Sequence, residues 1–540
     1  MANRVKGHDT VAMSLADHGL RMVFGLLGDG NLGLVDRLVR DHNVEYIPAN
    51  REDGAVMMAD GYARVTGEVG FASVTHGPGL TNAITPLHEA VKARTPLLLL
   101  CGDTAASDRA HNQNIDQRAT IQATGAGYHE LRSVDTIGED VAIALRQAQV
   151  ERRPVALNLP AEIQADESPS SGPPPRYTAA VHHSVAPDPD ALDHALGVAA
   201  SSQRPLILVG RGAVDAQAKD AIVQLADVLN APLATTLKAR GWCRGHPYDL
   251  GVLGSLSYAP ALDTIALADC LLAFGASLNR YTTVAGSFLE GRRVVQVDLD
   301  PTSIGRWYPV DVGVVGDVKQ VATTMSAALE RLGPRPEGLR SPKLAARLEA
   351  HEPDHEFQDR SSADQIDPNT LMVWLDRTLS SDRALVVDCG GFMEAPLRFI
   401  GVGEPRDQVL PANFGAVGLA VGTAVGAAFA RPERPVLTIV GDGGFMMSGM
   451  TEFETAVRYA LDLVVVVLNN GGYGIEYRNL QDLGGDPKLS EMAWPDPVDI
   501  ARSLGGDGVR ITNPDDLPAV ARAIEQRRRP LLIDARIGGL

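Results

Sequence analysis

Residues 434–476 read RPVLTIVGDGGFMMSGMTEFETAVRYALDLVVVVLNNGGYGIE. A β-rich run, residues 436–440, ends in Gly441-Asp442-Gly443-Gly444. A stretch of helical period follows, and a second apolar run, residues 463–468, ends in Asn469-Asn470-Gly471-Gly472. Both polar clusters therefore sit at the carboxyl ends of strands, where open α/β sheets place ligands. Asp442 offers a hard anionic oxygen, Asn470 a neutral amide oxygen, and the glycines admit close backbone approach. Such a set suits Mg²⁺ shared with a diphosphate, because Mg²⁺ takes few protein oxygens and keeps phosphate and water. A solitary Gly-Asp-Gly would signal only a turn.

The spacing makes the signal specific. Gly-Asp-Gly, 25 intervening residues and Asn-Asn, with strand–helix–strand between, resembles the cofactor motif of the thiamine diphosphate (ThDP) enzymes. The resemblance is to the acetolactate synthase and pyruvate decarboxylase superfamily, and it extends over nearly the whole chain. It implies that Asp442, the Asn470 side chain and the Gly472 carbonyl hold Mg²⁺. Gly441, Gly443, Gly444 and Tyr473 would then border the diphosphate.

The bulk numbers agree with an ordinary globular enzyme. The 540 residues are 45% hydrophobic and 21% charged, enough for three or four domains. A net charge of −18 argues against nucleic-acid and anionic-membrane surfaces. Cys101, Cys243, Cys270 and Cys389 lie far apart with no zinc spacing, so buried free thiols in a reducing cytoplasm are expected. No apolar run is long enough for a membrane span, and the first residues lack the apolar core of a secretory leader.

Two polar, Pro-rich stretches, residues 164–189 and 333–369, read as linkers, the second with room for one short amphipathic helix. They leave three α/β blocks: residues 1–165, 186–333 and 366–540. The outer blocks echo one another. Ala90-Val91-Lys92 precedes the run at Leu97 by the same spacing as Ala456-Val457-Arg458 precedes the run at Leu463. The expected fold is three doubly wound domains with mainly parallel sheets. The resemblance names them as a pyrimidine-binding domain, a central domain and a diphosphate-binding domain. Some relatives carry FAD or ADP in the central domain; here Gly210-Arg211-Gly212 signals only a turn and lends such a nucleotide no support.

ThDP chemistry asks the protein for a carboxyl group that hydrogen-bonds the aminopyrimidine ring from a poorly hydrated slot. Glu52, in Arg51-Glu52-Asp53-Gly54 and followed by Asp60-Gly61-Tyr62-Ala63-Arg64, falls on the catalytic glutamate of the resembling family. Read alone, Glu52 is an acid at a helix N-terminus favoured by the macrodipole, and Asp53 beside it reads as solvated. In Gly415-Ala416-Val417-Gly418 the resemblance makes Gly415 a carbonyl acceptor, Val417 the apolar wedge under the bent cofactor, and its amide a donor. Asp388-Cys389-Gly390-Gly391-Phe392 matches a turn at the diphosphate, without the Gln and His that relatives often carry, which leaves backbone amides as donors.

Four segments would line the substrate side. Gly28-Asp29-Gly30-Asn31 resembles the decarboxylase loop whose aspartate relays protons, although Asp-Gly is also a turn former. Thr75-His76-Gly77-Pro78-Gly79-Leu80-Thr81-Asn82 matches the Thr-Ser-Gly-Pro-Gly-x-Thr-Asn loop of acetolactate synthases, with an imidazole in the serine position and Asn82 toward the cofactor. In His111-Asn112-Gln113, Gln113 falls on the synthase glutamine, and His111 approximates the paired histidines of decarboxylases. Glu476 coincides with a decarboxylase glutamate, or is a surface helix acid.

The resemblance implies a 2-oxo acid substrate, decarboxylation with carboligation, and sites shared between subunits of a homodimer or homotetramer. Simple decarboxylation to an aldehyde and 2-hydroxyacyl-CoA lysis stay open, as does, more remotely, a non-catalytic relative. The synthase reading is also qualified by the chain's end at Leu540, soon after a final strand near residues 530–535, where acetolactate synthases continue in a longer arm.

Overall fold

A computed structural model describes residues 4–169, 184–333 and 338–538. Three six-stranded sheets organise them, each with every pairing parallel. The first holds β1 (Met22–Gly25), β2 (Glu45–Pro48), β3 (Gly70–Val74), β4 (Leu97–Asp103), β5 (Gly127–Glu130) and β6 (Pro154–Pro160), in the spatial order 2-1-3-4-6-5. The middle sheet holds β7 (Pro205–Val209), β8 (Leu233–Thr235), β9 (Asp249–Val252), β10 (Cys270–Phe274), β11 (Arg293–Asp298) and β12 (Val312–Val315), ordered 9-8-7-10-11-12. The last holds β13 (Ala384–Val387), β14 (Gln408–Val409), β15 (Val436–Gly441), β16 (Leu463–Asn469), β17 (Asp507–Ile511) and β18 (Leu531–Arg536), ordered 14-13-15-16-18-17.

The first and last orders are the same permutation, so the echo around Ala90 and Ala456 belongs to two copies of one topology. Their apolar strands have a common cause. A parallel strand with helices on both faces has no wet side, so Leu97–Cys101 and Leu463–Leu468 are buried at every position. The middle order reverses between β7 and β10, as in other doubly wound sheets. There Gly210 serves packing: a Cβ on it would lie 2.1 Å from the Gly275 carbonyl oxygen. Arg211 turns to Asp215 at 2.9 Å.

Five helices position the candidate site: α1 (Glu52–Thr66), α2 (Ile84–Ala93), α3 (Ala420–Ala430), α4 (Met450–Arg458) and α5 (Gly474–Asp482). One continuous apolar core joins the first and last domains through α1 and α3. Glycines make that crossing close. A Cβ on Gly61 would lie 2.0 Å from the Thr423 carbonyl oxygen, and one on Gly426 1.9 Å from that of Met58.

Several local expectations need correction. Residues 78–82 form a short helix, since Pro78 suits a first helical turn, and Gly77 enters it at φ +61°. The helical stretch after Asp442 contains a π turn, Phe445–Gly449, ahead of α4. Asp53 is half-buried and paired with Arg51 at 3.1 Å, because the helix start brings the two together. Cys389 is only partly buried, whereas the other three thiols are buried. The short helix expected in the second linker is present as Pro342–Glu349, while residues 170–183 of the first linker and 334–337 of the second lie outside the described residues.

Candidate active site

The last domain gathers one group of candidates. β15 and β16 are neighbours in register, so Asp442 and Asn470 emerge side by side from their carboxyl ends. The Asp442 carboxylate accepts from the amides of Gly471 (2.9 Å) and Gly472 (2.8 Å). Gly471 makes the turn at φ +84°, and Gly472 pairs with Glu491. Burial pushes the Asp442 carboxyl up, partly offset by these amides. Among the described residues no cluster of three or more His, Cys, Asp or Glu side chains forms a metal site. A single buried carboxylate at adjacent strand ends, with no second acidic side chain beside it, fits a cation that takes few protein oxygens and keeps phosphate and water.

Aromatic rings line this cradle. Tyr473 lies against Gly443, where a Cβ would come within 2.6 Å, and Phe392 against Gly390 and Gly441. The 389–391 turn lies under α5, whose Ile475 and Arg478 approach Gly391. Glu476 is exposed on α5. The turn at residues 415–418 starts at φ +82° on Gly415 and closes at φ +90° on Gly418, with Ala416 and Val417 half-buried between them. The Val417 side chain reaches toward Gly444.

Asp388, expected at a diphosphate turn, also anchors this one. Fully buried, it accepts from Gly418 N–H at 2.8 Å and Leu419 N–H at 3.1 Å, and burial raises its carboxyl to about 7.

The first domain gathers the other group. Glu52 is buried at the start of α1 and accepts from Asn82 Nδ2 at 2.9 Å, while Gly79 lies beside the same carboxyl. The loop of residues 75–82 thus wraps the glutamate. His76 is 4% exposed, and neither ring nitrogen has a hydrogen-bond partner among the described residues. Its ring stands edge-on to His111 with centroids 5.0 Å apart. Burial first, then His111, pushes the His76 pKa down, with Asp103, Asp29 and the Gln113 side chain, which approaches the ring without closing a full hydrogen bond, opposing. The Gln113 amide donates to His111 Nδ1 at 3.2 Å, so a neutral His111 carries its proton on Nε2. Gly30 packs against His76, and Asp29 is exposed beside it.

Gln117 is the hub that sequence reading missed. It accepts from Gly77 N–H and donates to the Gly102 carbonyl and Asn158, tying the loop to β4 and β6. The sequence carries no signal for it, because its burial at a helix start arises only in the packed domain. Between the two groups no hydrogen bond runs within the chain among the described residues.

Comparisons with known proteins fall on the same three sheets. The chain matches the family models "Thiamine pyrophosphate enzyme, N-terminal TPP binding domain" over residues 5–122, "central domain" over 192–325 and "C-terminal TPP binding domain" over 388–535. It is 27% identical to the acetolactate synthase isozyme 3 large subunit of Escherichia coli (strain K12), covering 99% of this chain and 95% of that one. It is equally 27% identical to a probable acetolactate synthase large subunit of Methanocaldococcus jannaschii (98% and 91%). The sulfoacetaldehyde acetyltransferase of Alcaligenes xylosoxydans xylosoxydans matches at 27% as well (95% and 89%). Three consecutive domain matches on three α/β sheets leave one assignment: this chain belongs to the thiamine diphosphate-dependent enzymes, in their acetolactate synthase-like branch.

Proposed function

We propose that the protein decarboxylates a 2-oxo acid and joins the remaining acyl unit to a second carbonyl compound, using ThDP held through Mg²⁺. The observation that carries this reading is Asp442 meeting the 470–472 loop at the ends of adjacent strands. Asp442, the Asn470 side chain and the Gly472 carbonyl would hold the cation, and amides of residues 390–392 and 441–444 the diphosphate. Gly415 and Val417 would seat the aminopyrimidine, with Glu52 as the carboxyl at its ring nitrogen. When bound, the cofactor supplies a carbanion that adds to the 2-oxo acid and stores the electrons left as CO₂ departs.

The chain's own residues do the rest. Asn82 orients the Glu52 carboxyl toward its partner. His76, kept neutral by burial, would offer its one ring N–H to a carbonyl or carboxylate oxygen of the reacting acids, with His111 and Gln113 beside it. A neutral imidazole is a weak proton donor, which supports attack on a second carbonyl over release of an aldehyde. Exposed Asp29 beside His76 supports the second reading, simple decarboxylation, in which it relays the proton. Glu476, on α5, would reach the substrate from the cofactor side.

A shared site is part of the proposal. Glu52 opens α1, whereas Arg64, twelve residues along and so about 18 Å away by helical rise, binds the segment leading to Gly415. That length supports a homodimer or homotetramer in which one subunit's first domain faces its partner's last.

Feeding a panel of 2-oxo acids, with and without an acceptor aldehyde, tests the chemistry. Hydroxyketone or hydroxy-oxo acid products support carboligation; aldehyde alone selects the second reading; no CO₂ from any acid overturns both.

A further inference from the structure

Glu89 in α2 lies outside every motif that the family resemblance singles out, yet it is 1% exposed and its two oxygens take three donors. Arg64 Nη2 (2.8 Å) and Asn413 Nδ2 (2.7 Å) meet Oε1, and the Phe414 amide (2.7 Å) meets Oε2. Arg64 is shared with buried Asp60 (2.7 Å) and also donates to the Leu410 carbonyl. Two buried carboxylates thus lean on one guanidinium. The remaining demand of Glu89 is met by Asn413 and Phe414, the two residues immediately before Gly415. His88 adds a stacked contact to the Phe414 ring at 4.7 Å, and the Lys92 ammonium sits 5.8 Å from its centroid.

The turn has little else to fix it at this end. A Cβ on Gly415 would meet nothing within 4 Å. Its position comes from its two flanks: Gly418 and Leu419 on Asp388, Asn413 and Phe414 on Glu89. A carboxylate whose sole task was gluing two domains could bond any part of the opposite surface. This one bonds the lead-in to the cofactor turn, with charge-assisted hydrogen bonds that fix direction as well as distance.

We propose that Glu89 is a positioning residue for the turn at residues 415–417: from the first domain it sets where that turn presents the Gly415 carbonyl and Val417 to the cofactor. The inference rests on the reading that this turn seats ThDP.

The test is calorimetric titration of the cofactor-stripped full-length protein with ThDP in excess Mg²⁺, beside its thermal midpoint without ThDP. Glu89→Gln keeps the volume but turns an amide N–H₂ toward donors, and should raise the Kd about tenfold or more. Asn413→Ala removes one donor to Glu89 from outside the first domain, along with its bond to the Leu410 carbonyl, and should raise the Kd by less, with the thermal midpoint kept. Should Glu89→Gln not fold, Asn413→Ala decides alone. A lowered midpoint with wild-type Kd in the folded variants overturns the proposal, since simple domain glue predicts that result. Asp442→Ala is the control for the underlying reading: if it alone weakens ThDP, only the role of Glu89 falls. If it too binds as wild type, the site reading falls.

Discussion

Replacing Glu452 by glutamine should stabilise the protein, and only above a certain pH. Glu452, in α4, is 1% exposed and faces α1 so closely that a Cβ on Gly54 would lie 2.1 Å from its Oε1. Oε2 accepts from Thr455 at 2.8 Å, and Oε1 has no partner among the described residues. Burial is the main reason its pKa rises to about 7; nearby Asp53 adds to the rise, against Thr455, the Asn50 amide and Arg458. The folded value exceeds the unfolded one, 4.5. The folded state therefore binds the extra proton, and stability from this group is present below pH 4.5 and lost as pH climbs through 7. The full difference corresponds to about 3 kcal/mol. Glutamine keeps the shape and the Thr455 bond but never ionises. Urea unfolding of both proteins between about pH 4.5 and pH 9 should give coincident midpoints at the acid end and a widening advantage for Glu452→Gln toward alkaline pH. A gap that stays constant across pH would refute the reasoning.

Glu52→Gln should keep ThDP affinity while slowing exchange of the cofactor C2 proton severely; NMR-followed deuterium exchange at the wild-type rate would remove Glu52 from activation. Mixing inactive Glu52→Gln and Asp442→Ala subunits should restore part of the activity through one intact site per mixed dimer. No activity after mass spectrometry has confirmed subunit exchange would end the shared-site model. Gly61→Ala drives a methyl into the Thr423 carbonyl, so helices α1 and α3 must part, at a cost of about 1–3 kcal/mol or more. An unchanged thermal midpoint would show that the crossing is softer than its distances indicate.

Much of the architecture was legible because it is written in local pattern. Buried parallel strands leave apolar runs, and turns at their carboxyl ends leave Gly, Asp and Asn. The spacing from Asp442 to Asn470 is one helical stretch and the strand that follows it. The repeat behind Ala90 and Ala456 was visible for the same reason and matches the shared strand order of the two outer sheets. Contacts between distant segments left no such trace. Glu89 meets Phe414 across 325 positions, and nothing near either residue announces the other. The burial of Gln117 and Asp388 is likewise a property of the packed domains. The helix over residues 78–82 was obscured by glycines, which argue for a loop until Pro78 and the packing around Glu52 are considered.

The π turn after Asp442 has a consequence for helical phase. Each residue in an α-helix advances the direction of the next by about 100°, and a π turn takes up one residue more than an α turn. Everything downstream is rotated as though the chain were one residue shorter. That is how the helix points Asp442 at the 470–472 loop from its first turn and still presents Glu452 and Phe453 inward. Losing one residue within Phe445–Gly449 would convert the π turn to a plain α turn and leave the inward face where it is. Losing one within Met450–Arg458 would swing the rest of that helix by about 100° and turn its apolar side out of the core.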